Sequence, residues 1–480
     1  MNQAIRHTWV VAAALLVLIL GSLTYVQFFE AGRLQANPWN SRNLLQQFSS
    51  NRGPILVGGQ QIAYSQRSND QYDYQRVYRD PQLYAPLTGF YSLLNMTGLE
   101  QELNPLLTGS SDQLFYDRIT QILSGNQPRG ASVELTIDPQ LQRIAYDALG
   151  DQKGAIVALN PKTGEILAMV SKPSYDPNAI ATHDTKKAKQ AYESLAQNEA
   201  NPLFNRAIGG NLDSPGSVFK IIDTAAALDS GKYNADSVLD NPAELNLPGT
   251  NATLPNYRYG GCAARTKVDF SFALEQSCNT PFASIALDLG QDAIANEAKK
   301  FGFGESLGIP LSVTPSVFAN QQLNDAQLAQ SAVGQFDVRV TPLQIAMMSA
   351  TIADNGVQMK PNLIKAVRAP DLTPISTFKP EQLRTPTSQQ TASQIKDWMV
   401  NVVDKGIAGG AAIPGVKVAG KTGTAELSAN GLNNAWFTGF APADDPQIAV
   451  AIVVENVDVA TGVSLTSPTA KKLFEAVLNK

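Results

Sequence analysis

A serine and a lysine stand three residues apart in "DSPGSVFKII", at Ser217 and Lys220. On a helix, positions i and i+3 share a face. Hydroxyl and amine would then lie side by side. A serine hydroxyl is a weak nucleophile until a base takes its proton. Lysine can be that base only if its pKa falls from ~10.4, which burial and a neighbouring cation both favour. Phe219, Ile221 and Ile222 flank Lys220 and would desolvate it. Pro215 and Gly216 suit a helix start, where the serine's own N–H is a free donor for an oxyanion. The pair points to acyl transfer by a Ser/Lys mechanism.

The pattern alone is degenerate. S-x-x-K also occurs at Ser376/Lys379 and Ser393/Lys396. Ser376 lies between Pro374 and Pro380, which predicts a loop. Ser393 sits in "SQIKDWMV", which predicts an amphipathic helix with a solvated lysine. Lys-Thr-Gly occurs at 162–164, inside a predicted hairpin turn, and at Lys421, Thr422 and Gly423, which continue as "TAE". Ser-x-Asn occurs at Ser41/Asn43, Ser49/Asn51, Ser277/Asn279 and Ser428/Asn430. Such short motifs mark surface decoration more often than chemistry. Order singles out one set: "SVFK", "SCN" and "KTGTAE", at 217, 277 and 421.

Composition bounds the alternatives. The 480 residues are 44% hydrophobic and 16% charged, enough for a large core in two or three domains. A net charge of -5 argues against nucleic acid as a partner. Only His7 and His183 are present, with Cys262 and Cys278, and no cluster has zinc-site spacing. No metal or other cofactor is expected. A Ser–His–Asp triad would have to rest on His183.

The elements that must position the motifs follow from patterning. Thr8 to Phe29 carries no charge and exceeds the ~20 residues a bilayer needs. Arg6 precedes it, which predicts a single-pass cell-membrane anchor with a short cytoplasmic stub and the remainder outside. Three spans are expected: 1–30, the stub and anchor; 31–140, a polar non-catalytic domain with short strands such as "GPILV" and "QQIAYS"; and 141–480, the catalytic domain. "GAIVALN" and "EILAMVS" read as strands around the turn "PKTG". "VFKIIDTAAALDSG" reads as a helix capped by Gly231. "VKVAG", "AWFTGFAP" and "QIAVAIVVEN" read as three antiparallel strands. The terminal "TSPTAKKLFEAVLNK" reads as a helix with Ser467 as N-cap and Pro468 at its first position. The expected class is α/β (α+β): a five-stranded antiparallel sheet covered by helices, with a helical subdomain. Outside the membrane disulfides persist, and an exposed lone thiol there is a liability, so a Cys262–Cys278 bridge is expected.

The three ordered motifs resemble those of penicillin-binding proteins and serine β-lactamases. Cys278 stands where Ser-Asp-Asn has its aspartate. Further segments resemble class B monofunctional transpeptidases: "TIDPQLQ", "GAIVALNPKTGEILAMVSKPSYDPN", "NRAI", "VGQFDVRVTPLQIA", "IADNGVQMKP" and "AGKTGTAE". With "RGPILVGGQQIAYS" and "YAPLTGFYS", the chain looks similar to the penicillin-binding protein A group of actinobacteria. One departure is that Arg52 and Gly53 of the family's Arg-Gly-x-Ile-x-Asp-Arg-x-Gly pattern remain, but "ILVGGQQ" replaces the Asp-Arg part.

The resemblance implies a membrane-anchored peptidoglycan D,D-transpeptidase active in cell wall synthesis, cell shape or division. Its partners would be stem peptides, β-lactam antibiotics, a polytopic membrane glycosyltransferase and division or elongation proteins. Ser217 would attack the D-alanyl-D-alanine carbonyl and Lys220 would accept its proton. Ser277 would relay that proton, and Asn279 would hold Lys220 and the substrate amide. Lys421 would add a positive charge that keeps Lys220 neutral and attracts the carboxylate, which the Thr422 and Thr424 hydroxyls would hold, with Gly423 open to close approach. The N–H groups of Ser217 and Thr424 would form the oxyanion hole. The 31–140 domain would be the family's pedestal or dimerisation-type domain. A β-lactamase is the nearest rival, but "QELN" (101–104) and "AELN" (243–246) precede Ser277, the wrong order for its water-activating glutamate. A non-enzymatic β-lactam sensor or scaffold is the other, and here no motif residue is lost.

Overall fold

The structure is a computed structural model that describes residues 2–30, 48–114, 129–210, 212–258, 260–427 and 431–479. Ser41, Asn43, Ser428 and Asn430 lie outside the described residues. Helix α1 (Asn2–Thr24) runs on as a π-helical turn over Tyr25–Phe29. From Gln3 to Phe29 it is long and apolar enough to cross a membrane, with a mean hydropathy of 2.3. Its apolar side chains are exposed, Trp9 by 73% and Phe28 by 78%.

Two sheets organise the rest. In chain order the strands are β1 (Ile55–Val57), β2 (Gln60–Arg67), β3 (Tyr74–Tyr78), β4 (Ser132–Leu135), β5 (Gly154–Leu159), β6 (Ile166–Lys172), β7 (Ile364–Arg368), β8 (Pro374–Thr377), β9 (Ala419–Glu426), β10 (Asn433–Ala441) and β11 (Ile448–Val457). The first sheet runs β8-β7-β4-β1-β2-β3. Its centre pairs β1 and β4 in parallel, Ile55 opposite Val133, and β4 and β7 antiparallel, Val133 opposite Val367. Two of its six strands thus come from residues 364–377, far along the chain. Ser376 is not in a loop: it stands exposed on β8, opposite Val367. Pro374 is tolerated because β8 is an edge strand, where a missing N–H costs no ladder bond.

Arg52 is among the most buried polar residues of this domain. Its Nε lies 2.6 Å from Glu100 Oε2, while Arg76 Nε lies 2.6 Å from Glu100 Oε1. The Arg52 guanidinium also stacks on Tyr91, 4.3 Å from the ring centre. Burial alone would raise the Glu100 pKa, but Arg76 and Arg52 outweigh it and hold the carboxyl below its usual range.

The second sheet is five-stranded and fully antiparallel, in the order β9-β10-β11-β5-β6. Alternate residues point to opposite faces of a strand, and both faces are covered. Val157, Ala451, Val453 and Trp436 belong to one core, Ile156, Val450, Ile452 and Phe437 to the other. The first is covered by α4 (Pro342–Ala353), which is buried on every side; the second by the C-terminal helix α6 (Val459–Leu478). Two more helices, α2 (Lys220–Asp229) and α3 (Thr280–Leu289), carry catalytic motifs at their starts, and α5 (Gln389–Asp404) packs on β9.

The start of α6 corrects the expectation for Ser467 and Pro468. The N-cap is Asp458, whose side chain accepts from the Thr461 N–H at 3.0 Å, and Pro468 lies inside the helix. A proline there removes one helical bond. Burial of Thr466, Ala470, Leu473 and Phe474 outweighs that loss. Gly231, by contrast, does end α2, with φ +72° and its N–H on Leu228 O.

Candidate active site

Ser217 sits on a single 3-10 turn, Gly216–Phe219, that leads directly into α2. The turn is wedged between β9 and the loop around Gly334. A Cβ on Gly216, whose φ is +54°, would lie 2.7 Å from Thr424 O and 3.0 Å from Thr424 N. A Cβ on Gly423 would lie 2.6 Å from Pro215 O. The bare backbone at Gly423 therefore admits the serine's own turn, in addition to bordering the cleft. Gly216 N–H donates to Gly334 O at 2.9 Å. Below the turn, Phe219 is fully buried, stacked on Phe318 at 5.5 Å. Before it, Trp436 Nε1 donates to Ser214 O at 3.0 Å, and Arg339 donates to Ser214 Oγ at 2.7 Å.

Lys220 follows at the first position of α2, fully buried. Its Nζ lies 2.9 Å from Ser277 O, 2.7 Å from Asn279 Oδ1 and 3.5 Å from Ser277 Oγ. Burial, reinforced by Lys421, holds its pKa well below the ordinary lysine value, and Asp223 opposes this only in part. A neutral amine has two N–H bonds, and the two short contacts use both. Its lone pair is left to accept a proton. Asp223, one turn further on, is also fully buried, and neither carboxyl oxygen has a partner among the described residues. Burial pushes its pKa well up, with Lys220 opposing this only in part.

Ser277 holds an uncommon backbone conformation, φ +58°. For a residue with a side chain this stores strain, commonly at functional sites. Neighbouring bonds enforce it: Ser277 N–H to Leu274 O and Cys278 N–H to Ala273 O. Cys278 is also joined to Cys262 by a disulfide with its Cα atoms 5.6 Å apart. Asn279 Nδ2 donates to Pro255 O at 2.8 Å, leaving one amide hydrogen for a substrate. Asn256 Oδ1 accepts from the N–H groups of Asn279 and Thr280, which orients the start of α3.

Lys421 approaches from β9. Its buried Nζ donates to Ser277 Oγ and to Thr422 O, both at 2.9 Å. Burial brings its pKa down to about 7. Thr422 and Thr424 alternate with buried Gly423 and face the cleft. The cleft, about 790 Å³, is lined by Ser217, Ser277, Asn279, Thr422, Gly423 and Thr424. Tyr257, Arg258, Gln335 and Phe336 also line it. No local signal marks Asn256, because its partners Asn241, Asn279 and Thr280 are 15 to 24 residues away in sequence. Phe336 lies in the "VGQF" stretch that carried the resemblance. Ser217, Ser277, Asn279, Thr422, Gly423 and Thr424 thus share one cleft, with Lys220 and Lys421 buried behind it, whereas Ser376 and Ser393 do not line it. His183 serves no triad: its Nδ1 is 2.5 Å from Asp70, on the first sheet's side. Among the described residues no His/Cys/Asp/Glu group could hold a metal.

Residues 154–475 match the penicillin-binding protein transpeptidase domain, and residues 52–133 match the penicillin-binding protein A dimerisation domain. Curated relatives include the peptidoglycan D,D-transpeptidase PbpA of Mycolicibacterium smegmatis, 42% identical over all of both chains. Its Mycobacterium tuberculosis counterpart is 41% identical over 100% of this chain and 99% of that one. Among solved structures, a ceftriaxone acyl-enzyme complex of penicillin-binding protein A from M. tuberculosis superposes with a TM-score of 0.86 at 40% identity. It covers 90% of this chain and 100% of that one.

Proposed function

The chain belongs to the penicillin-binding protein transpeptidase family, and from that premise we infer that it is a peptidoglycan D,D-transpeptidase acylated by β-lactams. One observation carries the assignment of roles: a fully buried lysine, discharged by its surroundings, one turn from a cleft-lining serine.

Ser217 Oγ attacks the carbonyl of the donor's penultimate D-alanine as its proton passes to Lys220 Nζ. The N–H groups of Ser217 and Thr424 take the developing oxyanion, a contribution of about 3 kcal/mol per donor. The Thr422 and Thr424 hydroxyls hold the terminal carboxylate, which the buried charge of Lys421 attracts. The proton reaches the departing D-alanine amine through Ser277 Oγ, which lies within reach of both lysines. An amine of a second stem peptide then attacks the acyl-enzyme, returning its proton by the same route. Asn279 fixes Lys220 and offers its remaining amide hydrogen to the peptide. The Gln3–Phe29 helix anchors the enzyme, with catalysis outside the cytoplasm. Residues 31–140 form a non-catalytic pedestal and 141–480 the transpeptidase domain. A polytopic membrane glycosyltransferase and division or elongation proteins would supply the glycan and direct its use.

The test is intact-mass analysis of the full-length protein in detergent after penicillin treatment. Ser376→Ala and Ser393→Ala should gain one adduct, and Ser217→Ala none. An adduct retained by Ser217→Ala would end the assignment.

A further inference from the structure

Strand β9 carries a third cleft-facing side chain beyond Thr422 and Thr424. Glu426 follows at the same two-residue interval, exposed, while Gly423 and Ala425 between them are buried. All three line the cleft, and Glu426 is the one acidic residue among its described lining. No hydrogen bond or ion pair engages its carboxylate among the described residues. The mechanism above makes no use of it.

Its place on the strand gives it a direction. On the proposed reading, Lys421 and Thr422 take the donor's terminal carboxylate, and Thr424 N–H the oxyanion of the next carbonyl. The donor therefore runs along β9 from 421 towards 426, away from its own C-terminus. At ~3.4 Å per residue, Glu426 lies about 7 Å beyond Thr424. Strand β9 is thus polarised along its length: Lys421 is buried at the carboxylate end, and a carboxylate with no partner among the described residues stands in the cleft upstream. A ligand with a carboxylate at its end and a cation further up its chain has the complementary charge order.

We propose that Glu426 is a specificity-determining residue that selects donor peptides carrying an amino group upstream of the scissile D-alanyl bond. This rests on the transpeptidase reading. Glu426 would pair with the ammonium of a diamino acid side chain in the donor and take no part in the bond changes at Ser217. A plain solvated glutamate at a strand end would show no such preference.

The probes are two thioester donors, Nα-acetyl-L-lysyl-D-alanyl thiolactate with its ε-amine free or acetylated, assayed on the full-length protein in detergent. The wild type should favour the free amine in kcat/KM by about fivefold, the upper range for a solvent-exposed ion pair. Glu426→Gln should bring the two donors within about twofold by slowing only the free-amine donor. Glu426→Asp should keep part of the preference. Equal rates for both donors in the wild type, or a preference that survives Glu426→Gln, overturns the proposal. A loss shared equally by both donors, or a change confined to the KM of an added amine acceptor, overturns it too. If penicillin and both donors fail to acylate Ser217 in the wild type, the transpeptidase reading fails first and takes this proposal with it.

Discussion

Lys220 and Lys421 converge on one oxygen: the Ser277 hydroxyl lies 3.5 Å from the first Nζ and 2.9 Å from the second. Two ammonium groups so placed in a buried site repel strongly. The arrangement is stable only with at least one amine neutral, and the pKa directions agree. Lys220 is held low by burial and then by Lys421, and Lys421 is brought to about 7 by burial. On the proposed reading the pair would divide two tasks, Lys220 acting as base and Lys421, less strongly lowered, supplying positive charge.

Replacing Lys220 should separate chemistry from folding. Because Lys220 is fully buried, arginine would overfill its site, and Lys220→Met is the cleaner variant. Acylation by penicillin should slow by about 10²–10⁴-fold, the range of a lost general base. Thermal melts should stay within a few degrees of wild type, since a neutral buried amine is exchanged for an apolar chain. Acylation within threefold of wild type would show that another group takes the proton.

Lys421 should leave a signature in stability against pH. Its folded pKa is about 7, against ~10.4 in the unfolded chain. Between those values the unfolded state binds more protons, so stability rises with pH across this window. The difference between wild type and Lys421→Met should shift in favour of wild type by on the order of 1 kcal/mol per pH unit from pH 7 to 10. Urea melts at three pH values measure it, and parallel profiles for the two proteins would contradict a lowered Lys421 pKa.

Removing the disulfide should affect the site more than the fold. The bridge closes a short loop, worth on the order of 3 kcal/mol. It also anchors Cys278 beside the strained Ser277. Cys262→Ala/Cys278→Ala should stay folded at 25 °C, while its acylation rate drops by about tenfold or more, since small misplacements of a catalytic group are costly. Thiol counting on denatured, unreduced wild type should find no free thiol. Unchanged acylation in the double variant would leave the bridge a staple only.

Glu100 is the sole acidic partner of two buried guanidinium groups, Arg52 and Arg76, among the described residues. Glu100→Gln should destabilise the protein by about 3–5 kcal/mol, because both cations stay buried without a counter-charge. As its folded pKa lies below the usual range, this stability is present at neutral pH and lost as acid protonates Glu100. Chemical denaturation at pH 7 tests the first point, and a loss under 1 kcal/mol would contradict it.

The three motifs were legible because each is short and locally ordered: a serine and lysine at helical spacing, a turn with asparagine, and Lys-Thr-Gly beside an apolar run; the strand read at "VKVAG" in fact spans Ala419–Glu426 and contains the third motif. The central sheet was legible for the same reason, as "AWFTGFAP" and "QIAVAIVVEN" are apolar runs that can only be buried strands. The first sheet was not. Its β7 and β8 are short, half-exposed and far in sequence from β4, so nothing local distinguishes them from loop, and Pro374 argued against a strand. The start of α6 was misread because "DVATGVSLTSP" is rich in β-branched residues and glycine, poor helix formers whose helix is secured by packing on β10 and β11. Glu426 was visible as a letter in "KTGTAE", but that it has no partner among the described residues shows only in three dimensions.

The pairing of β4 with β7 imposes a timetable on biosynthesis. Residues 132–135 leave the ribosome long before residues 364–368, which cover their free edge. Throughout that interval the young protein displays a bare row of amide and carbonyl groups, the surface on which strands of other chains can dock. Domains usually fold as units in the order they are made, but here the earlier one cannot finish first. A chain stalled before position 364 would carry a complete nucleophile and an open seam together, so maturation of the whole depends on its late middle arriving.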